Sequence, residues 1–162
     1  MIAYIVAGLV ALVLLVAAYR LLGGSATRPV DPHVLLRAAR DGAAAAVTEL
    51  SETTDRGLPP EPGRASEVLK PVRRRVDTAS QQLQQIDVVH LGDDAAAAHA
   101  LLAVAVDELS WALRLLQTPA YTGSAGMHQA FVALFEHAAQ CVREAGAVDL
   151  GSVAPEEVRS AQ

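Results

Sequence analysis

The chain has 162 residues, 52% of them hydrophobic and only 4% aromatic, with 13 basic and 18 acidic side chains and a net charge of −5. That length holds one soluble core beside a membrane segment and crowds out a second domain. The single cysteine, Cys141, excludes an internal disulfide framework, and the three basic against eleven acidic residues over positions 76–162 exclude nucleic acid as a main ligand. Apolar content carried by Ala, Val and Leu favours closely packed helices over sheet, so the expected fold class is all-α. Lys70 is the one lysine among the basic residues, and the Ala/Val/Arg/Gly bias resembles proteins of GC-rich bacterial genomes.

Residues 1–24 read as a single transmembrane anchor. Ile2 to Ala18 is unbroken apolar sequence, and Arg20 is the only charge between Ile2 and Leu22. At about 1.5 Å per helical residue the span reaches about 30 Å, the thickness of a hydrocarbon core. Tyr4 and Tyr19 bracket the run as interfacial rings do, and Arg20 can snorkel to the headgroups. Gly8, beside Ala3, Ala7 and Ala11, offers a small-residue face to a partner helix. A cleavable signal would need a basic segment ahead of a shorter apolar run of about 7–15 residues, and Arg20 interrupts the approach to Gly24-Ser25-Ala26. Arg28, Arg37 and Arg40 follow the run while nothing basic precedes it. The positive-inside rule therefore predicts an inner-membrane, single-pass protein with its large C-terminal domain in the cytoplasm; an extracytoplasmic domain is the alternative.

Residues 25–30 form a short hinge, and residues 31–146 read as an antiparallel four-helix bundle. Asp31-Pro32 supplies a cap candidate and a first-turn proline. The stripe Leu35, Ala39, Ala43, Ala46 and Leu50, widened by Val34 and Val47, predicts a helix that fades near Thr54 to Gly57. Three prolines between Gly57 and Gly63 predict a loop. Leu69, Val72, Val76, Ala79, Leu83 and Ile86 then alternate spacings of three and four, a coiled-coil-like seam. Pro71 predicts that the regular part of this helix starts near Lys70 or kinks there, and His90-Leu91-Gly92 predicts its end. Asp93-Asp94 opens a third helix, expected to be the most buried. Its core row is Ala98, Leu102, Ala105, Leu109, Ala112 and Leu116, extended by Leu101, Val104, Trp111 and Leu115. His99, Asp107, Ser110 and Arg114 are left for the wet face. Ser124 caps a fourth helix with the stripe Met127, Phe131, Leu134, Ala138, Cys141 and Ala145, ending at Gly146. Residues 147–162 read as a mobile or weakly docked tail.

The sequence points to no catalytic, cofactor-binding or metal-ligating residues. His137, Cys141 and Glu144 share one helix side, but Cys141 belongs to the apolar stripe, and no second ligand pair has zinc-type spacing. The Glu-x-x-His pairing of di-iron bundles is missing. Ser124 lies outside any nucleophile-elbow pattern and reads as a cap. Arg73-Arg74-Arg75 is the densest charge cluster, a candidate contact for anionic headgroups or an acidic partner. The expected partners are the lipid bilayer and a protein, or a second copy, met through helix faces. An anchor plus interaction-type helices without a reaction centre predicts an adaptor, scaffold or regulatory subunit. An envelope bundle that binds a ligand or bridges layers, and an enzyme with a bundle pocket, are the alternatives.

Overall fold

A computed structural model of the chain describes residues 31–57, 62–119, 121 and 124–148. The anchor residues Tyr4, Gly8, Tyr19 and Arg20, the hinge, and the tail beyond Val148 lie outside the described residues. Within them the protein is all-helical, with four long helices and no strand: α1 (Pro32–Asp55), α2 (Pro62–Gln84), α3 (Asp93–Gln117) and α4 (Ala125–Ala147). A single 3-10 turn, Val88–His90, joins α2 to α3.

Two helical hairpins, α1 with α2 and α3 with α4, share one hydrophobic core. Gly42 of α1 faces Ala79 of α2, and Glu49, a turn or two later, reaches back to Arg75, so the two helices run in opposite directions. The α2–α3 seam is likewise antiparallel, because Leu83 meets His99 while Arg73 meets Gln117. Alanine and leucine alternate along the core row of α3, Ala98, Leu102, Ala105, Leu109, Ala112 and Leu116, all buried as expected. Large side chains thus interleave with small ones, which fills the interior without strained rotamers. Ala95, Val106 and Leu113 add to this arc, making α3 the helix with the largest buried set. Each leucine taken fully out of water contributes about 1.5–3 kcal/mol.

The spaced apolar row holds throughout: Leu69, Val72, Val76, Ala79 and Leu83 of α2, and Ile86 just beyond its end, are all buried. The limits of this helix differ from expectation. It runs from Pro62 through Pro71, which lies exposed inside it, so the prolyl ring points to water while Leu69 and Val72 on either side face the core. It stops at Gln84, short of His90, because Asp87 starts a separate 3-10 turn by accepting a hydrogen bond from the Val89 amide at 3.1 Å.

In α1 the inward leucine is Leu36, fully buried, with Leu35 only half-buried and Val34 exposed. The alanines Ala39, Ala43 and Ala46 and the leucine Leu50 face the core as expected. The helix ends at Asp55, and Gly57 follows with φ of 81°, the left-handed region that glycine enters without a Cβ clash. Thr53 is buried at this end, and its hydroxyl donates to the Glu49 carbonyl at 2.7 Å. In α4, Phe131, Ala138, Cys141 and Ala145 are buried, Met127 and Leu134 are half-buried, and Ala139 and Val142 join the core. Ser124 caps the helix by accepting from the Met127 amide at 3.3 Å. The helix passes through Gly146 to Ala147, and Val148 packs against the core.

The outer side of α3 departs most from expectation. Val104 is 44% and Trp111 51% exposed, neither inside the arc. Ala97, Ala100 and Ala103 are exposed beside them, with Asp107 and Arg114 as the charges on this ridge. The Arg114 guanidinium lies 4.8 Å over the Trp111 ring. Conversely, His99 and Ser110 are half-buried against α2 rather than wet. Among the described residues α3 is the helix long and apolar enough to cross a membrane, although 39% of its most apolar stretch is buried inside the bundle.

Candidate functional site

The three consecutive arginines do not form one patch, because successive residues on a helix are turned by about 100°. Arg73 leans toward α3, its guanidinium donating to the Gln117 side-chain oxygen Oε1 at 3.5 Å. Arg75 turns to α1 and pairs with Glu49 at 2.9 Å. Arg74, between them, is exposed and makes no ion pair among the described residues. Two of the three therefore stitch α2 to its neighbours across exposed surface, where a pair is worth about 0–1 kcal/mol. Between the arginines and the far end of the same seam, α2 and α3 leave a groove. Its larger part, about 260 Å³, is lined by Ser80, Leu83, His99, Val106, Asp107 and Ser110.

A denser gathering of chemistry lies on the other flank of α3. Glu108 projects from α3 at the position on the α4-facing flank that Leu101 and Leu115 occupy one heptad before and after it. A leucine there would simply pack. Instead both carboxylate oxygens meet His137 Nδ1 of α4, at 2.7 and 2.8 Å. A carboxylate only accepts, so Nδ1 carries the proton and donates it. In the neutral imidazole that leaves the lone pair on Nε2, which lies 3.9 Å from the Cys141 Sγ one turn further along α4. The order is carboxylate, imidazole, thiol, with one ligand-type atom from each within 4.8 Å of the others. Glu144 follows three residues after Cys141 and accepts a hydrogen bond from the Gln140 side-chain Nε2 at 2.8 Å.

The exposure grades across this cluster. The Glu108 side chain is 20% and the His137 side chain 56% exposed, whereas Cys141 is buried. Burial pushes the Cys141 thiol up from its ordinary range, and the Glu108 and Glu144 carboxylates push it further. A nucleophilic cysteine needs the opposite, an electropositive and accessible setting that favours thiolate. The order of groups resembles a nucleophile, base and orienting acid, but the electrostatics hold the sulfur protonated. What the arrangement can do is hold a cation, since a positive charge inverts that electrostatic preference.

His137 and Cys141 stand one turn apart on α4 as their spacing indicated, whereas Glu144 bonds to Gln140 and is not among the groups that come together. Glu108 had no signal in the sequence, because it joins them from another helix, 29 residues before His137. The chain matches no protein-family model, and no curated protein or solved structure is significantly similar to it.

Proposed function

We propose that this protein is a membrane-tethered helical adaptor, scaffold or regulatory subunit that works through protein contacts made by the outer ridge of α3. The observation that carries the reading is that ridge. Val104 and Trp111 stand half out of water among Ala97, Ala100 and Ala103, where the free face of a soluble helix is normally charged. Aromatic anchors on otherwise small-residue surface are the typical centre of a protein interface. The tether is supported by the apolar run Ile2 to Leu22, and the cytoplasmic placement of the bundle in an inner membrane by the arginines that follow that run. Arg74 and its neighbours are available to anionic headgroups or to an acidic partner surface.

Two measurements test this. Alkaline phosphatase and green fluorescent protein fused to the C-terminus should give fluorescence without phosphatase activity. Photo-crosslinking from position 111 in the detergent-solubilised chain should trap a defined protein, whereas crosslinks spread over solvent and lipid alone would end the adaptor reading. A second reading, an extracytoplasmic ligand-binding bundle, is favoured by the 260 Å³ groove between α2 and α3. Phosphatase activity in the fusion would select it.

A further inference from the structure

We infer that Glu108, His137 and Cys141 form a binding site for one thiophilic divalent cation of the zinc type, independent of how the bundle is tethered. Three lines meet here. First, the donor set is a thiol, an imidazole and a carboxylate, the three side chains that bind zinc, and no harder cation such as magnesium or calcium prefers a sulfur ligand. Second, the geometry is close to what the ion needs. Zinc bond lengths of about 2.0–2.3 Å put neighbouring tetrahedral ligands about 3.3–3.7 Å apart. Cys141 Sγ and His137 Nε2 are 3.9 Å apart, and one ligand atom from each of the three residues falls within 4.8 Å of the others, so a turn of the exposed His137 ring that gives up its Nδ1 hydrogen bond to Glu108 lets one nitrogen, the sulfur and a carboxylate oxygen share an ion.

Third, the charges match. Binding expels the Cys141 thiol proton to solvent, and the resulting thiolate and the Glu108 carboxylate together neutralise the two charges of the ion. Glu108 also occupies a flank position where Leu101 and Leu115 mark the packing choice, so its presence is not explained by the core. Three protein ligands leave the fourth tetrahedral position to water, on the side where His137 opens to solvent.

The experiment is a cobalt titration of the full, tag-free chain in detergent, followed by displacement with zinc. One cobalt per chain should produce a near-ultraviolet sulfur-to-metal charge-transfer band together with intense visible bands of a four-coordinate ion, and zinc should bleach both. Cys141→Ser should remove the charge-transfer band, and Glu108→Gln should weaken cobalt binding by at least about tenfold, the range seen when a ligand or its direct support is lost. Far-ultraviolet circular dichroism checks that each variant stays helical. Glu108→Leu provides the control for a merely structural pair: it restores the packing residue, so the bundle should stay as stable as the metal-free parent while binding is lost. Absence of a sulfur-to-cobalt band, or its survival in Cys141→Ser, overturns the inference.

Discussion

Gly42 lies on the side of α1 that meets α2. A Cβ placed there would meet the Ala79 Cβ at 3.7 Å and the Arg75 carbonyl at 4.0 Å, ordinary van der Waals contact. Glycine in a helix interior costs about 1 kcal/mol relative to alanine. Gly42→Ala should therefore stabilise the bundle by about 0.5–1 kcal/mol in urea unfolding, and Gly42→Leu, whose extra carbons press on the Ala79 side chain and the Arg75 carbonyl, should destabilise it. A loss of stability in the alanine variant would show that the helices are closer than these distances. Cys141 supplies a prediction of opposite kind. Its thiol holds the proton to higher pH in the folded chain than in the unfolded one, owing first to burial and then to Glu108 and Glu144. The unfolded chain loses that proton first, so the contribution is present in full below the ordinary thiol range and is lost as pH rises through it and beyond. Metal-free chain unfolded in urea at increasing alkaline pH should lose stability less steeply as Cys141→Ala than as the parent.

At the scale of elements, α2 carries a proline where a helix can least use one. Pro71 removes the amide that would bond to the Glu67 carbonyl, and its ring crowds that turn. Because the side chain is exposed, alanine can replace it without opening a cavity. Pro71→Ala should raise the unfolding temperature, with a gain of up to about 3 kcal/mol offset in part by the freer unfolded chain. An unchanged or lower midpoint would mean that the proline sets a bend on which α1 and α3 pack. Proline's local cost is also why the sequence predicts a regular helix starting near Lys70, or a kink there. Buried Ala65 and Leu69 ahead of it hold the first turns to the core, and tertiary packing overrides the local preference. Periodicity was otherwise a reliable guide wherever apolar residues alternate at three and four, as along α2 and the central row of α3. It failed at the edges of the arcs. Leu35 and Leu36 differ by one helical step, and only the tilt of α1 against its neighbours decides which enters the core. Val104 and Trp111 are as apolar as residues that are buried, and nothing local reveals that no described helix covers their side of α3. Glu108 was silent for the same reason. A cluster assembled from two helices 29 residues apart has no spacing to read.

For the whole molecule, the two hairpins satisfy the inward stripes of all four helices; among the described residues the large apolar side chains left exposed are Val34 on α1, Val68 on α2, Val88 and Val89 on the 3-10 turn, and the pair Val104 and Trp111 on the outer ridge of α3. Single exposed valines are normal on any protein surface, whereas an exposed tryptophan one heptad from Val104 and flanked by alanines is the more informative feature. The ridge is also separable from the fold. Val104 and Trp111 are each about half exposed and belong to no part of the buried core, so charging them removes the apolar face without opening the interior. Val104→Lys combined with Trp111→Lys should leave helicity and urea midpoint within about 0.5 kcal/mol of the parent, the usual range for surface substitutions. Any protein or second copy that crosslinks through position 104 in the parent should be retained at least about tenfold less, because an aromatic interface anchor typically contributes 2 kcal/mol or more. The Arg114 guanidinium stacked on Trp111 makes a third variant useful: Arg114→Gln keeps the aromatic face, so it should weaken capture only mildly. Capture that follows Arg114 and ignores Trp111 would identify the contact as electrostatic and remove the apolar ridge from the account.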